Sequence, residues 1–151
     1  MALEWLKQRY SEVTANLKSE VTKFKNKSFL EAVVAGCALV AHADGVVKPE
    51  EKQKMMGFLR NSDVLSVFGV EEVIGIFDKY AKQFEFDHQI GQASALQVVA
   101  KLKGKDAEAR LMVRVCCAIG AADGDFDEQE KAVVRKICAE LGLNPKDFDL
   151  V

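Results

Sequence analysis

Proline is nearly missing from this chain. Only Pro49 and Pro145 occur in 151 residues, so long stretches can run as helix without the break that a ring-locked, donor-less residue imposes. Alternating apolar and polar runs rich in β-branched residues are almost absent too, which removes the usual strand signal. The four cysteines, Cys37, Cys116, Cys117 and Cys138, include no CxxC pair, and a thiolate zinc site has no spacing to use. No glycine-rich phosphate loop and no Ser-His-Asp or Cys-His constellation can be read. With only His42 and His88 available as imidazoles, positive signs of catalysis are lacking and a non-enzymatic protein is expected. The N-terminus carries Glu4 and Lys7 where a secretory apolar region would lie. The longest uncharged apolar run, Ala32–Ala41, is about half of the roughly 20 residues a membrane span needs. A cytoplasmic protein with reduced thiols is therefore expected. A formal net charge of −2 gives no global attraction to nucleic acid, and no nucleic-acid partner is expected.

What is present is helical periodicity. A chain of this length buries roughly 70% of its unfolded surface, enough for one domain without staples. From Leu6 through Tyr10, Val13, Leu17, Val21 and Phe24, apolar residues recur in steps of three and four, the stripe of an amphipathic helix. Residues 1–27 hold six Lys/Arg against three Glu. This segment reads as a helix laid on the domain, with peripheral membrane attachment through its lysines as the sharper alternative. Further helices are expected over 29–43, opened by a Ser28–Glu31 capping box, and over 49–60, 71–86, 88–102, 106–122 and 128–141. A short turn near 62–68 and a last turn after Pro145 complete the set. Asp87 and Asp106 read as N-caps, Asp127 and Glu130 as a second capping box, and Gly45 and Gly142 as helix stops. The prediction is an all-α, single-domain bundle of about seven helices. Residues 1–27 pack on a domain formed by 28–151, and the whole is one domain.

The chain also repeats itself. Val34, Cys37, Ala43-Asp44-Gly45 and Glu51-Lys52 recur 79 positions later as Val113, Cys116, Ala122-Asp123-Gly124 and Glu130-Lys131. The two halves therefore read as related helical hairpins, each folded around one Asp-Gly loop. Two copies in one domain do not make a solenoid.

The second loop is the richer one. Asp123, Asp125, Asp127, Glu128 and Glu130 place five carboxylates within eight residues. Clustered oxygen ligands suit hard divalent cations such as calcium or magnesium. The EF-hand pattern fails, because Glu128 stands where glycine is required and Val134 where the closing glutamate is required. The candidate ligands are Asp123, Asp125, Asp127 and Glu130. The first loop keeps Asp44, Glu50 and Glu51 but has Val46 and Lys48 in place of Asp125 and Asp127, so it is the weaker site. These carboxylates also have a structural use, bonding turn amides and capping helices. Cys37 and Cys116 read as small core residues, Cys117 and Cys138 as more accessible, and His88 as a surface residue. His42 lies at a helix C-terminus, where an imidazole suits the dipole.

The paired A-D-G-x5-E motifs in an all-helical chain resemble the TerB family of tellurite resistance proteins, and the resemblance covers essentially the whole chain. The same acidic helical module occurs in co-chaperones of the DjlA type. The resemblance implies a bacterial stress-response protein tied to resistance against tellurium oxyanions, phage and pore-forming colicins. It implies partners as well: an inner-membrane TerC-type protein and calcium-binding TerD-type proteins. It further implies divalent-metal binding at the acidic motif, here Asp123, Asp125, Asp127 and Glu130, with Asp44, Glu50 and Glu51 in the first copy. The alternative function is thiol-based binding or reduction of the tellurite oxyanion by the cysteines.

Overall fold

The computed structural model describes residues 26–43, 53, 56, 57, 60, 68–121, 127–148 and 150, with residues 119–121 as backbone only. Among the described residues there is no strand, and the all-α expectation holds. Five complete α-helices are seen where about seven were expected: α1 (Lys27–Ala41), α2 (Val70–Phe86), α3 (His88–Val99), α4 (Asp106–Ala121) and α5 (Glu128–Leu141). Two 3-10 turns, Ala100–Leu102 and Pro145–Phe148, extend α3 and close the chain. Gln53, Met56, Gly57 and Arg60 are helical within the expected 49–60 segment, whose other residues lie outside those described. So do the expected helix within 1–25, the turn at 62–67 and the Asp44-Gly45 stop.

Helix α1 is the hub. It packs against each of the other four helices, and from Phe29 to Val40 every residue except Glu31 is buried. A helix apolar on all sides has no solvent face to offer, so it must sit inside. Each of its larger side chains contributes about 1.5–3 kcal/mol by leaving water. Two glycines set close approaches. A Cβ on Gly36 would stand 2.8 Å from both Cys116 Sγ and Met112 Cε, so the residue lets α1 and α4 touch. At Gly91 a Cβ would meet the Phe84 backbone nitrogen and Cα at 2.7 Å. The tight corner between α2 and α3, joined by the single residue Asp87, depends on that missing atom.

Most helix ends follow the expected chemistry. The Asp87 carboxylate accepts from Ile90 N at 3.1 Å. Gly142 adopts φ 72 beyond α5, and Leu143 N reaches back to Cys138 O at 2.8 Å, a left-handed stop that costs glycine little. Two expectations are corrected. Asn26, not Ser28, caps α1: its Oδ1 accepts from Phe29 N at 2.8 Å, and asparagine serves this position as well as serine. Glu31 is thereby released from any capping box and instead accepts from Tyr80 Oη at 2.6 Å. Asp106 is the first residue of α4 rather than its cap, and pairs one turn on with Arg110 at 3.1 Å.

The repeat is visible in the packing. Cys37 and Cys116, its matched thiols, are both buried in the seam between α1 and α4, where Cys116 Sγ donates to Val33 O of α1 at 4.0 Å. Ala41 lies four residues beyond the first thiol and Ala121 five beyond the second. At 1.5 Å per residue and the usual helix spacing, the two helix ends stand within roughly 17 Å of each other at any crossing angle.

Candidate functional site

The second acidic loop runs into the start of α5. There Asp127 Oδ1 accepts from Glu130 N at 2.8 Å, and Glu130 Oε1 accepts from Asp127 N at 3.2 Å. This reciprocal pair is a complete capping box, which satisfies two orphan donors and sets negative charge at the positive end of the helix. Two of the four candidate ligands are therefore brought side by side, and each already spends one oxygen on the helix. Asp123 and Asp125, and Asp44, Glu50 and Glu51 of the first copy, lie outside the described residues. Among the described residues no three His, Cys, Asp or Glu side chains gather as a metal set. The donors that do meet are carboxylate oxygens, which fit a hard cation and not a soft one.

Next to this capping box is a half-open cavity of about 320 Å³. Leu39, His42 and Ala43 reach it from the end of α1, and Gln129, Ala132, Val133 and Lys136 from one face of α5. Phe84, His88 and Gln92 close it from the α2–α3 corner. Ala43 is the last described residue before the first acidic loop, and Gln129 lies within the second acidic run, between Glu128 and Glu130. Both copies of the repeat thus border one cavity.

Its aromatic wall is ordered by stacking. His42, only 3% exposed, lies flat on Phe84 with ring centroids 4.5 Å apart and planes 2° from parallel. Its Nδ1 donates to Ala38 O at 2.8 Å, so the imidazole does meet the helix C-terminus as expected. His88 tilts against Phe84 at 5.4 Å. It is half-buried, not a surface residue, and its Nδ1 is buried without a hydrogen-bond partner. A sequence does not show that a first-turn histidine of α3 folds over a phenylalanine of α2. Gln129, Ala132, Val133 and Lys136 share one helical stripe in the sequence, which by itself marks a helix face and not a cavity.

On the same face of α1, near its opposite end, stands a second polar cluster. Glu31 accepts from Tyr80 Oη, with Lys79 Nζ at 3.5 Å from the same oxygen and 5.2 Å above the Tyr80 ring. The Tyr80 hydrogen bond, supported by Lys79 and opposed by partial burial, holds the Glu31 carboxyl below its ordinary value. Burial, and then the Glu31 charge, push the Tyr80 hydroxyl well up.

Three of the four thiols are buried: Cys37, Cys116 and Cys138. Cys138 was expected to be more accessible. It follows Val134 and Ile137 on the buried stripe of α5, and burial pushes its pKa up to about 11. The neighbouring Cys37 thiol and burial hold Cys116 well above the ordinary thiol value.

Among the described residues no helix is long and apolar enough to cross a membrane. The family model for tellurite resistance protein TerB matches residues 30–151. A tellurium resistance protein TerB from Alcaligenes sp is 43% identical over 99 residues, covering 66% of this chain and 81% of that protein. No solved structure matches. A match over nearly all of the helical core, with a relative this similar, means that the chain belongs to the TerB family of tellurite resistance proteins.

Proposed function

We propose that this tellurite resistance protein acts as a non-enzymatic interaction module whose second acidic loop takes a divalent cation, calcium or magnesium. The observation that carries the reading is the capping box. It fixes Asp127 and Glu130 beside each other, at the end of a run that also contains Asp123 and Asp125. A cap needs one carboxylate and its partner. Asp123 and Asp125 exceed that need, and alternating aspartates followed by an acidic helix start suit a hard cation. In this reading the bound cation would neutralise the loop and stiffen the end of the molecule where both repeat copies border the cavity.

The partners would be other proteins of the resistance system, an inner-membrane TerC-type protein and calcium-binding TerD-type proteins, met from the cytoplasmic side. Two facts favour this over thiol chemistry. Three of the four thiols are out of reach of solvent. The upward shifts at Cys116 and Cys138 also keep them protonated, whereas the thiolate is the reactive form. The test is a titration of the full chain with calcium, and separately with magnesium, followed by amide NMR. Saturable shifts centred on residues 123–130 are expected. An unchanged spectrum there at millimolar cation would remove the metal from the account.

A further inference from the structure

We propose that the cavity between the end of α1, the α2–α3 corner and α5 binds a small organic anion: a carboxylate or phosphate group on a short apolar body. The site adjoins the acidic loop at Gln129 but uses none of its carboxylates and does not depend on a bound cation.

The donor set defines the ligand. Lys136 brings an ammonium, while Gln92 and Gln129 bring carboxamides that can donate, and His88 brings an imidazole. Among the described residues no carboxylate and no thiol lines the cavity. The nearest described carboxylates, Asp127 and Glu130, are turned to the amides of the first turn of α5. A wall with one ammonium and several neutral donors favours an anionic oxygen, which forms the stronger, charge-assisted hydrogen bonds. It disfavours a metal ion, which would need three or more ligating side chains, and no such set gathers among the described residues.

His88 supplies an independent observation. Its Nδ1 is the one buried side-chain nitrogen or oxygen among the described residues without a hydrogen-bond partner. Buried polar atoms are almost always satisfied, and an orphan calls for a missing partner. Nδ1 is closed off as the ring stands, and a turn of the His88 ring, which lines the cavity, would bring Nδ1–H to a ligand oxygen. Between these donors the wall is apolar: Leu39, Phe84, Ala132 and Val133. Ligand sites combine such a wall with a few convergent polar groups, and 320 Å³ lies at the small end of their size range. The volume equals about ten waters, room for a ring or short chain with one anionic head.

The experiment uses the full chain, stripped of divalent cations with EDTA, so that it stands apart from the cation reading of the acidic loop. Three probes are titrated by amide NMR: benzoate, inorganic phosphate, and benzamide as the neutral counterpart of benzoate. Saturable shifts at His88, Gln92, Gln129 and Lys136 are expected with benzoate or phosphate. Whichever anion binds more tightly identifies the head group. Benzamide should bind at least about tenfold more weakly than benzoate, as the loss of one charge-assisted hydrogen bond implies. Lys136→Met should weaken the better anion by about tenfold. Ala132→Trp, which fills the cavity from an exposed position on α5, should abolish binding while leaving the fold intact. The proposal is overturned if neither anion gives saturable shifts below roughly 10 mM, a binding free energy of only about 3 kcal/mol. It is overturned equally if benzamide binds as well as benzoate, or if Lys136→Met binds undiminished.

Discussion

Helices α1 and α4 occupy matching places in the repeat, yet they live in different surroundings. Ala35 is fully buried while Arg114, 79 positions later, is exposed. Ala38 is buried and its counterpart Cys117 only half so. The stripe Glu31, Ala35, Ala38 and His42 on α1 turns toward α2 and α3, where Tyr80 and Phe84 meet it. The corresponding stripe on α4, through Arg110 and Arg114, is more exposed, and α2 and α3 do not cover it. The segment 70–102 has no second copy. Laid over one half, it buries one member of the pair, leaves the other at the surface, and forms the third wall of the cavity. A repeat carries local structure, and what is placed over it decides which copy becomes core.

The sharpest way to break this comparison is to exchange its two ends. Ala35→Arg buries an unpaired charge under α2 and α3 and is expected to cost about 3–5 kcal/mol, enough to unfold a marginal domain. Arg114→Ala should move stability by no more than about 0.5 kcal/mol. Urea denaturation followed by circular dichroism compares the two. Equal effects would mean that the halves are equivalent after all.

The two close approaches should separate next. Gly91→Ala drives a methyl group into the Phe84 backbone, which cannot swing aside, and about 3 kcal/mol is expected. Gly36→Ala meets the ends of side chains, one of them the flexible Met112, and about 1–2 kcal/mol is expected. If Gly36 proves the costlier site, the α1–α4 seam of the repeat is tighter than the added corner. The same urea curves decide it.

The Glu31–Tyr80 contact ties the added segment to α1, and its pH dependence has two limbs. The Glu31 carboxyl is depressed on folding. Its contribution is complete above the ordinary value of 4.5 and is lost as pH falls through the lower folded value. The Tyr80 hydroxyl is raised. Its contribution is complete below the ordinary value of 10.0 and is lost as pH rises above it. Tyr80→Phe should cost about 1 kcal/mol near neutrality and flatten both limbs. Urea midpoints from acid to alkaline pH test this, and unchanged limbs would assign the contact no role.

The mildest expectation concerns thiols. Native protein should label with a thiol reagent at Cys117 at most, since Cys37, Cys116 and Cys138 are buried, whereas denatured protein labels at all four. Rapid native labelling of Cys37 or Cys116 would restore thiol chemistry as a function.

Much of this was legible in the sequence. The bounds of α2, α4 and α5 follow from periodicity and end signals to within a residue or so, because Asp87, Asp127 and Gly142 terminate helices by local chemistry that needs no tertiary context. The Asn26 cap was missed because Ser28 and Glu31 offered an equally good local pattern. In the fold the Glu31 carboxylate is taken up by Tyr80, 49 residues away, which no local pattern announces. The placement of Cys138 could have been read from the Val134, Ile137, Cys138 and Leu141 stripe. The cavity could not: His42, Phe84 and His88 come from three elements, and nothing local announces that two imidazoles will meet one phenylalanine. Of the acidic loops, only the capping half was decided by short-range spacing, and that half is the one seen here.

The central claim is that the second copy of the repeat, and not the first, holds a divalent cation. Calorimetric titration of calcium into three full-length proteins tests it most directly: the native chain, Asp125→Asn and Glu50→Gln. Asp125 lies outside the capping box, so its substitution removes a candidate ligand and leaves α5 capped. The account predicts one saturable site, of the weak class near 10⁻⁴–10⁻³ M, present in the native chain and in Glu50→Gln and lost in Asp125→Asn. Calcium binding that survives Asp125→Asn, or a native chain that takes up no calcium, would contradict it.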